Sequence, residues 1–143
     1  MPEQGLRTFA LIYASWAASQ PFYRHGRHRE LGYSSVEDYV ERSWLPAYRR
    51  HDPRDLLAML DTWLANDLGA AALGRITART TVIAGSHDLY FTTADCRAEA
   101  ALIPGARFLE LPSPLGHRAG NPRDQPREQA FIRHALDALL PQP

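Results

Sequence analysis

Apolar residues recur three and four positions apart through the first half of the chain and in short continuous runs through the second. Leu6, Phe9, Ala10, Tyr13 and Ala17 fall at helical spacing, so a helix is expected from about Gly5 to Ser19. Gln20-Pro21 stops it, because proline removes a backbone donor and restricts the residue before it. The stretch YRHGRHRELGYSS is polar, crowded with Arg and His, and reads as a loop. Ser34 with Glu37 makes a capping box that starts a helix through Val36, Tyr39, Val40 and Trp44. Asp52-Pro53 opens the next, with an acceptor at the cap and proline in the first turn. Leu56, Leu57, Leu60, Trp63, Leu64 and Leu68 give it one apolar stripe, and Gly69 ends it.

After residue 75 the period changes. TTVIAG (80–85) is a short β-branched run ending in glycine, as in a buried parallel strand. TTADCRAEAALIPGA reads as a helix capped by Thr93 and ended by Pro104-Gly105, and RFLEL (107–111) as a second strand. Pro126 to Leu140 closes the chain as an amphipathic helix with Phe131, Ile132, Ala135, Leu136 and Leu139 on one face. The expected class is α/β, with a helical segment over 1–75 and a β-α-β-α unit over 76–143 in one incomplete domain. Two parallel strands leave hydrogen-bonding edges open and do not make a self-sufficient sheet. The pattern is therefore that of the end of a larger parallel sheet.

Composition narrows the classes. A chain of 143 residues with 45% hydrophobic and 22% charged residues fits one folded domain at most. Sixteen basic and sixteen acidic side chains cancel, so no global field recruits nucleic acid or an anionic membrane. No apolar run approaches the ~20 residues that cross a bilayer, and the N-terminus makes a poor signal peptide. The single cysteine, Cys96, excludes an internal disulfide and fits a reducing compartment. A cytoplasmic location is expected, with neither a nucleic-acid nor a membrane partner.

The chemistry gathers in two stretches, AGSHDLYF (84–91) and PSPLGHRAG (112–120). Asp88 lies just past the first strand and His117 six residues beyond the second, at the carboxyl edge where open α/β sheets collect catalytic groups. A carboxylate there can accept the imidazole Nδ1 proton, fix the tautomer and stabilise the imidazolium. Gly116 allows the histidine loop a tight approach, and Pro114 stiffens it. Singly, each residue has a bland reading as turn or surface; together, at matching strand ends, they read as a catalytic acid and base.

These stretches, with IPGARFLEL between them, resemble the C-terminal part of the α/β-hydrolase fold and, more narrowly, its homoserine O-acetyltransferase-like branch. The resemblance covers nearly the whole chain, with GLRTFALIYASWAASQPFY matching a helical lid insertion. It implies that Asp88 is the triad acid and His117 the triad base, with no metal required. It also implies a small-molecule acyl substrate, and acetyl-CoA as co-substrate only if the reaction is a transfer. The chain departs from that branch at Arg118, where an aspartate is usual, and at Thr92, where a proline is common. A related hydrolase or acyltransferase of another substrate is the reading that follows.

The family's serine sits on a G-x-S-x-G elbow between a strand and a helix, upstream of the acid. The sequence has no such elbow. Gly32-Tyr33-Ser34-Ser35-Val36 lacks the second glycine and an apolar strand before it; Ser34 reads as a helix cap. Ser86 and Ser113 lie on the loops of the acid and the base, and Cys96 sits at an apolar helix position. The oxyanion donors, too, come from regions upstream of anything present. His25 and His28 form an H-x-x-H pair with no third ligand, so a solvated cluster is expected there. Tyr13, Trp16, Phe22 and Tyr23 line an acyl pocket or form lid core, with core preferred. Tyr90 and Phe91 are expected under the acid loop, and Arg118 pairs with a carboxylate or faces solvent. The chain is expected to be the C-terminal portion of a serine-dependent acyltransferase or ester hydrolase, inactive without its nucleophile. The alternative is a non-catalytic lid and edge module that self-associates or pairs with a separately encoded N-terminal half.

Overall fold

A computed structural model describes residues 3–140, with helices filling the first half of the chain. Helix α1 (Glu3–Ala17) buries Leu6, Ala10, Ala14 and Ala17, the face that the spacing marks out. Small side chains on that face let other backbones come close. The chain then breaks at Ala18-Ser19 rather than at the proline. Ser19 caps α2 (Gln20–Arg24) by accepting the Phe22 N–H at 3.0 Å, and Pro21 sits in the first turn, where its missing donor costs nothing. The expected loop after it is instead shaped into α3 (Arg27–Glu30), entered through Gly26 at φ +62°. His28 is buried there, not solvated as expected, while His25 is exposed.

The capping box lies one residue later than expected. Ser35 caps α4 (Val36–Tyr39), its Oγ accepting the Asp38 N–H at 3.1 Å, while Ser34 donates its own N–H to the Asp38 carboxylate at 2.8 Å. The helix widens into a π-helical turn over Val40–Trp44 and continues as α5 (Leu45–Tyr48). Pro46 falls in the first turn of α5, where a regular ladder would require its missing N–H. Helix α6 (Pro53–Ala65) is capped by Asp52 as expected but ends four residues before Gly69, which at φ +67° opens α7 (Gly69–Leu73). No residue of α6 is buried: Leu57 is 61% and Leu64 73% exposed.

Strands β1 (Thr81–Gly85) and β2 (Arg107–Leu111) pair in parallel, Thr81 opposite Arg107 and Gly85 opposite Leu111. Helix α8 (Thr93–Leu102) crosses between them, capped by Thr92 rather than Thr93 through the Asp95 N–H at 3.2 Å. A 3-10 turn (Gly116–Gly120) and α9 (Pro126–Leu139) complete the described chain. Of the strand residues only Ala84 and Leu111 are buried, so the pair is not the doubly covered strand that its apolar run suggests. Among the described residues no third strand joins it.

One core joins both halves: Ala18, Phe22 and Tyr39 from the helices pack with Leu111, Leu115 and Ala119 around β2 and the 3-10 turn. A second, formed by Leu6, Ala10, Ala14, Val40 and Leu45, holds α1 against the α4–α5 segment. Among the described residues no helix is long and apolar enough to cross a membrane.

Candidate active site

Because β1 and β2 are parallel, the loops that leave their carboxyl ends emerge side by side. The first loop builds its own acceptor. Asp88 N–H bonds the Gly85 carbonyl at 3.0 Å, and its Oδ1 takes the N–H groups of Tyr90 (2.8 Å) and Phe91 (3.1 Å). With Oδ1 engaged, Oδ2 is left for His117, whose Nδ1 lies 3.0 Å away. The structure thus brings together the acid and the histidine that the sequence singles out. A carboxylate facing Nδ1 assigns the proton to that nitrogen and leaves Nε2 as the free base. Among the described residues no hydrogen bond engages Nε2. The imidazole is held from its sides by Tyr90 and Phe91, with ring centroids at 5.1 and 5.4 Å.

A set of polar contacts that the sequence does not announce holds the histidine loop. Ser86 Oγ accepts the Ser113 N–H at 3.1 Å and thereby ties the acid loop to the base loop. Ser113 Oγ donates to the buried Glu128 carboxylate of α9 at 2.7 Å and accepts the Leu115 N–H at 3.2 Å. Ser19 donates its hydroxyl to the Pro114 carbonyl, which joins the end of α1 to the same loop. Gly116 has φ +64°, and a Cβ there would lie 2.8 Å from the Ser19 nitrogen and 3.0 Å from the Ala17 carbonyl oxygen. Among the described residues no carboxylate pairs with Arg118, which is only partly exposed. It donates to the Tyr39 hydroxyl and lies over the Tyr39 and Trp44 rings, 5.8 Å from each centroid.

The Glu128 contact has a measurable cost attached. Ser113→Ala removes a hydrogen bond to a buried carboxylate and the acceptor for Leu115, so urea unfolding should show a loss of about 2–3 kcal/mol. Glu128→Gln keeps an acceptor for the hydroxyl and should cost less.

His117 opens into a groove of about 450 Å³ between α1, α5, α6 and the acid loop, with Tyr13, Tyr48, Leu60, Trp63 and Phe91 among its walls. This accounts for part of the apolar face of α6: Leu60 and Trp63 wall the groove, while Leu56 lines it and also packs against the second core. Of the aromatic residues weighed for a pocket, Tyr13 lines it. Phe22 is fully buried in the core, Tyr23 packs beside that core with its hydroxyl on the Ala14 carbonyl, and Trp16 is half exposed near Tyr90. A second hollow of about 550 Å³ has polar walls, including Arg27, Asp124 and Glu128, and touches neither Asp88 nor His117.

The tyrosines around this region resist ionisation. Burial raises Tyr13, with the Asp88 charge adding to it. Burial lifts Tyr90 to about 12, and pushes Tyr23, Tyr39 and Tyr48 up as well. A group whose folded pKa is raised contributes stability fully below its unfolded value, here 10.0, and loses it as pH rises through the folded one. Tyrosinate absorbance of the folded chain should therefore lag behind that of the urea-unfolded chain, and the Tm should fall as pH rises from about 10 to 12.

None of the serines or Cys96 is hydrogen-bonded to His117. Ser34 and Ser35 serve the helix start, Ser86 and Ser113 bind each other, and Cys96 is a buried thiol whose pKa burial raises, with Glu99, Asp88 and Asp95 adding to it. Among the described residues no three His, Cys, Asp or Glu side chains converge as metal ligands.

A parallel strand pair with helices around it, and an acid and a histidine in contact at its carboxyl edge, is compatible with part of an α/β-hydrolase fold. The solved structures it matches are acetyl esterases. It superimposes on an acetylester hydrolase from Corynebacterium glutamicum with a TM-score of 0.87 and 30% identity, over 96% of this chain and 41% of that one. With the acetyl esterase MekB the TM-score is 0.82 and the identity 32%, over 96% and 42%. In sequence it is 37% identical over 120 residues to the ethyl acetate hydrolase of Pseudomonas veronii, covering 79% of this chain and 34% of that protein. A probable esterase of C. glutamicum is 34% identical over the same length and shares. The chain thus spans about a third of the length of the curated relatives it matches. No family model matches it.

Proposed function

We propose that the chain supplies the acid and the base of a serine-type ester hydrolase, Asp88 orienting His117. The Nδ1–Oδ2 contact of 3.0 Å at the edge of an apolar groove carries this reading. The hydroxyl nucleophile would come from a G-x-S-x-G elbow outside this sequence. As that oxygen attacks the ester carbonyl, its proton passes to His117 Nε2, while Nδ1–H stays donated to Asp88 and the ring charge is stabilised. The imidazolium then protonates the leaving alcohol oxygen as the tetrahedral intermediate collapses to an acyl-enzyme. Water resolves that intermediate through the same base and releases the acid. Residues 1–75 act as a cover over the site and 76–143 as the end of the catalytic sheet.

Hydrolysis is favoured over acyl transfer because the relatives are named as hydrolases and esterases, and a small acetyl ester is the first substrate to try. Membership of the homoserine O-acetyltransferase-like branch is a broader kinship that we propose on the AGSHDLYF and GHRAG stretches. Acetyl-CoA would enter only if a hydroxyl acceptor replaced water.

The test is a chimera in which this chain replaces the matching segment of the P. veronii enzyme. Hydrolysis of ethyl acetate should survive the exchange and be lost on His117→Ala. A folded chimera whose activity ignores that substitution would sink the reading. The chain by itself should leave p-nitrophenyl acetate untouched; turnover that His117→Ala abolishes would place a nucleophile inside it.

A second reading is favoured by one observation, the exposed apolar side chains of α6 (Leu57, Met59, Leu64) together with the open strand pair. The chain would then be a cover and edge module that binds its own copy or a separately made N-terminal half. Sedimentation at micromolar concentration should show self-association; a monodisperse monomer that melts cooperatively counts against it.

A further inference from the structure

We propose that Tyr13, Tyr48 and Tyr90 form an oxygen-recognising subsite beside His117, so that the groove prefers neutral esters carrying a second acceptor oxygen to their all-carbon analogues. The proposal rests on the reading of the groove as an ester site. The three tyrosines come from α1, α5 and the acid loop and converge on one region. The Tyr13 ring lies 5.6 Å from that of Tyr48 and 5.5 Å from that of Tyr90, which in turn is 5.1 Å from the His117 imidazole.

Their hydroxyls differ from those of the buried tyrosines elsewhere. Tyr23 donates to the Ala14 carbonyl and Tyr39 accepts from Arg118. Among the described residues no protein group pairs with the hydroxyls of Tyr13, Tyr48 or Tyr90, and none of the three is sealed off from the groove. The three phenols share the groove with Phe9, Leu56 and Trp63 and keep donors that no protein group takes, so a bound acceptor oxygen can replace water on them. Ionisation of either Tyr13 or Tyr90 opposes that of Tyr48.

The donor set also selects the ligand chemistry. All three groups are neutral donors; none of the described residues lining the groove is Arg, Lys, Asp or Glu, and the charge of the nearby Asp88 repels anions. Arg118, the nearest cation in sequence, is turned away to Tyr39. A carboxylate or phosphate finds no cation here, whereas an ether or keto oxygen, with two lone pairs, can take two of the three donors.

The experiment compares ethyl 3-methoxypropanoate with ethyl pentanoate, which differ by one oxygen in place of a methylene. Dissociation constants are read on the purified chain from NMR shifts of the Trp63 indole. A purely apolar groove favours the pentanoate by at least about fourfold, the worth of one methylene. The wild-type chain should instead bind the ether at least as tightly. Tyr48→Phe and Tyr13→Phe, which keep the rings, should move the ratio about fourfold towards pentanoate, and Tyr33→Phe, outside the groove, should leave it unchanged. Preference for pentanoate in the wild type with a ratio unmoved by the Phe variants overturns the proposal. So does equal weakening of both esters, which would assign the phenols to the ester carbonyl, and so does binding of neither. The ratio requires no turnover, so a chimera that fails the His117 test with this ratio intact removes the catalytic reading alone.

Discussion

Gly116→Ala should destabilise the chain by about 3 kcal/mol or more, a large part of the stability of a domain this size. Two costs add. At φ +64° a Cβ residue strains the left-handed region by roughly 1–2 kcal/mol. The new methyl would also sit 2.8 Å from the Ser19 nitrogen and 3.0 Å from the Ala17 carbonyl oxygen, both backbone atoms that cannot swing aside. Overpacking of that kind costs about 1–3 kcal/mol. Gly120→Ala is the control, since nothing lies within 4 Å of its added Cβ and its φ is unremarkable. Urea unfolding should separate the two variants clearly. If Gly116→Ala melts like Gly120→Ala, the close approach of the histidine loop to α1 is absent in solution.

Asp88→Asn should have the largest catalytic effect, about 10⁴-fold in kcat, measured on the chimera described above. The amide can still occupy the turn, but its nitrogen cannot accept a hydrogen bond from Nδ1, and the imidazole loses the partner that fixes its tautomer. The isolated chain offers an independent check. In the wild type the His117 Nδ1 proton should give a downfield, exchange-protected NMR signal. In Asp88→Asn that signal should vanish, with ring ¹⁵N shifts moving to a tautomer mixture. Retention of the signal in the variant would mean that another group holds the ring.

Much of this site was legible in the residues. The TVIAG and RFLEL runs mark the two strands closely, the first as a β-branched run ending in glycine and the second as a short apolar run between the Pro104-Gly105 stop and Pro112. Once both strands are parallel, Asp88 and His117 must leave the same edge, and topology alone predicts their meeting. The α6 stripe misleads for a physical reason. Periodicity shows that one helix face is apolar but not what it faces, and here part of that face walls a groove while Leu57 and Leu64 face outward. The stretch around His28 misleads in the opposite sense. Its Arg and His content suggests water, yet Gly26 turns the chain and folds His28 inward. The latch of Ser86, Ser113 and Glu128 carries no periodic signal, since its members lie 27 and 15 residues apart and their side chains are common on any surface. Tyr13 and Tyr90 stand out as aromatic neighbours of the acid and the lid, but Tyr48 joins them only through the α4–α5 bend.

Asp88 and His117 also differ in how far along the chain their supports lie. Asp88 is fixed by Gly85, Tyr90 and Phe91, all within three residues of it. His117 depends on Ser19, 95 residues from the Pro114 it contacts, and on Ser86 and Glu128. Short loops close quickly and at little entropic cost, while contacts spanning most of the chain come late. The acid turn is therefore a piece of local structure that refolding can form early. His117 reaches Asp88 only when the helical half has docked, so their contact reports completion of the fold.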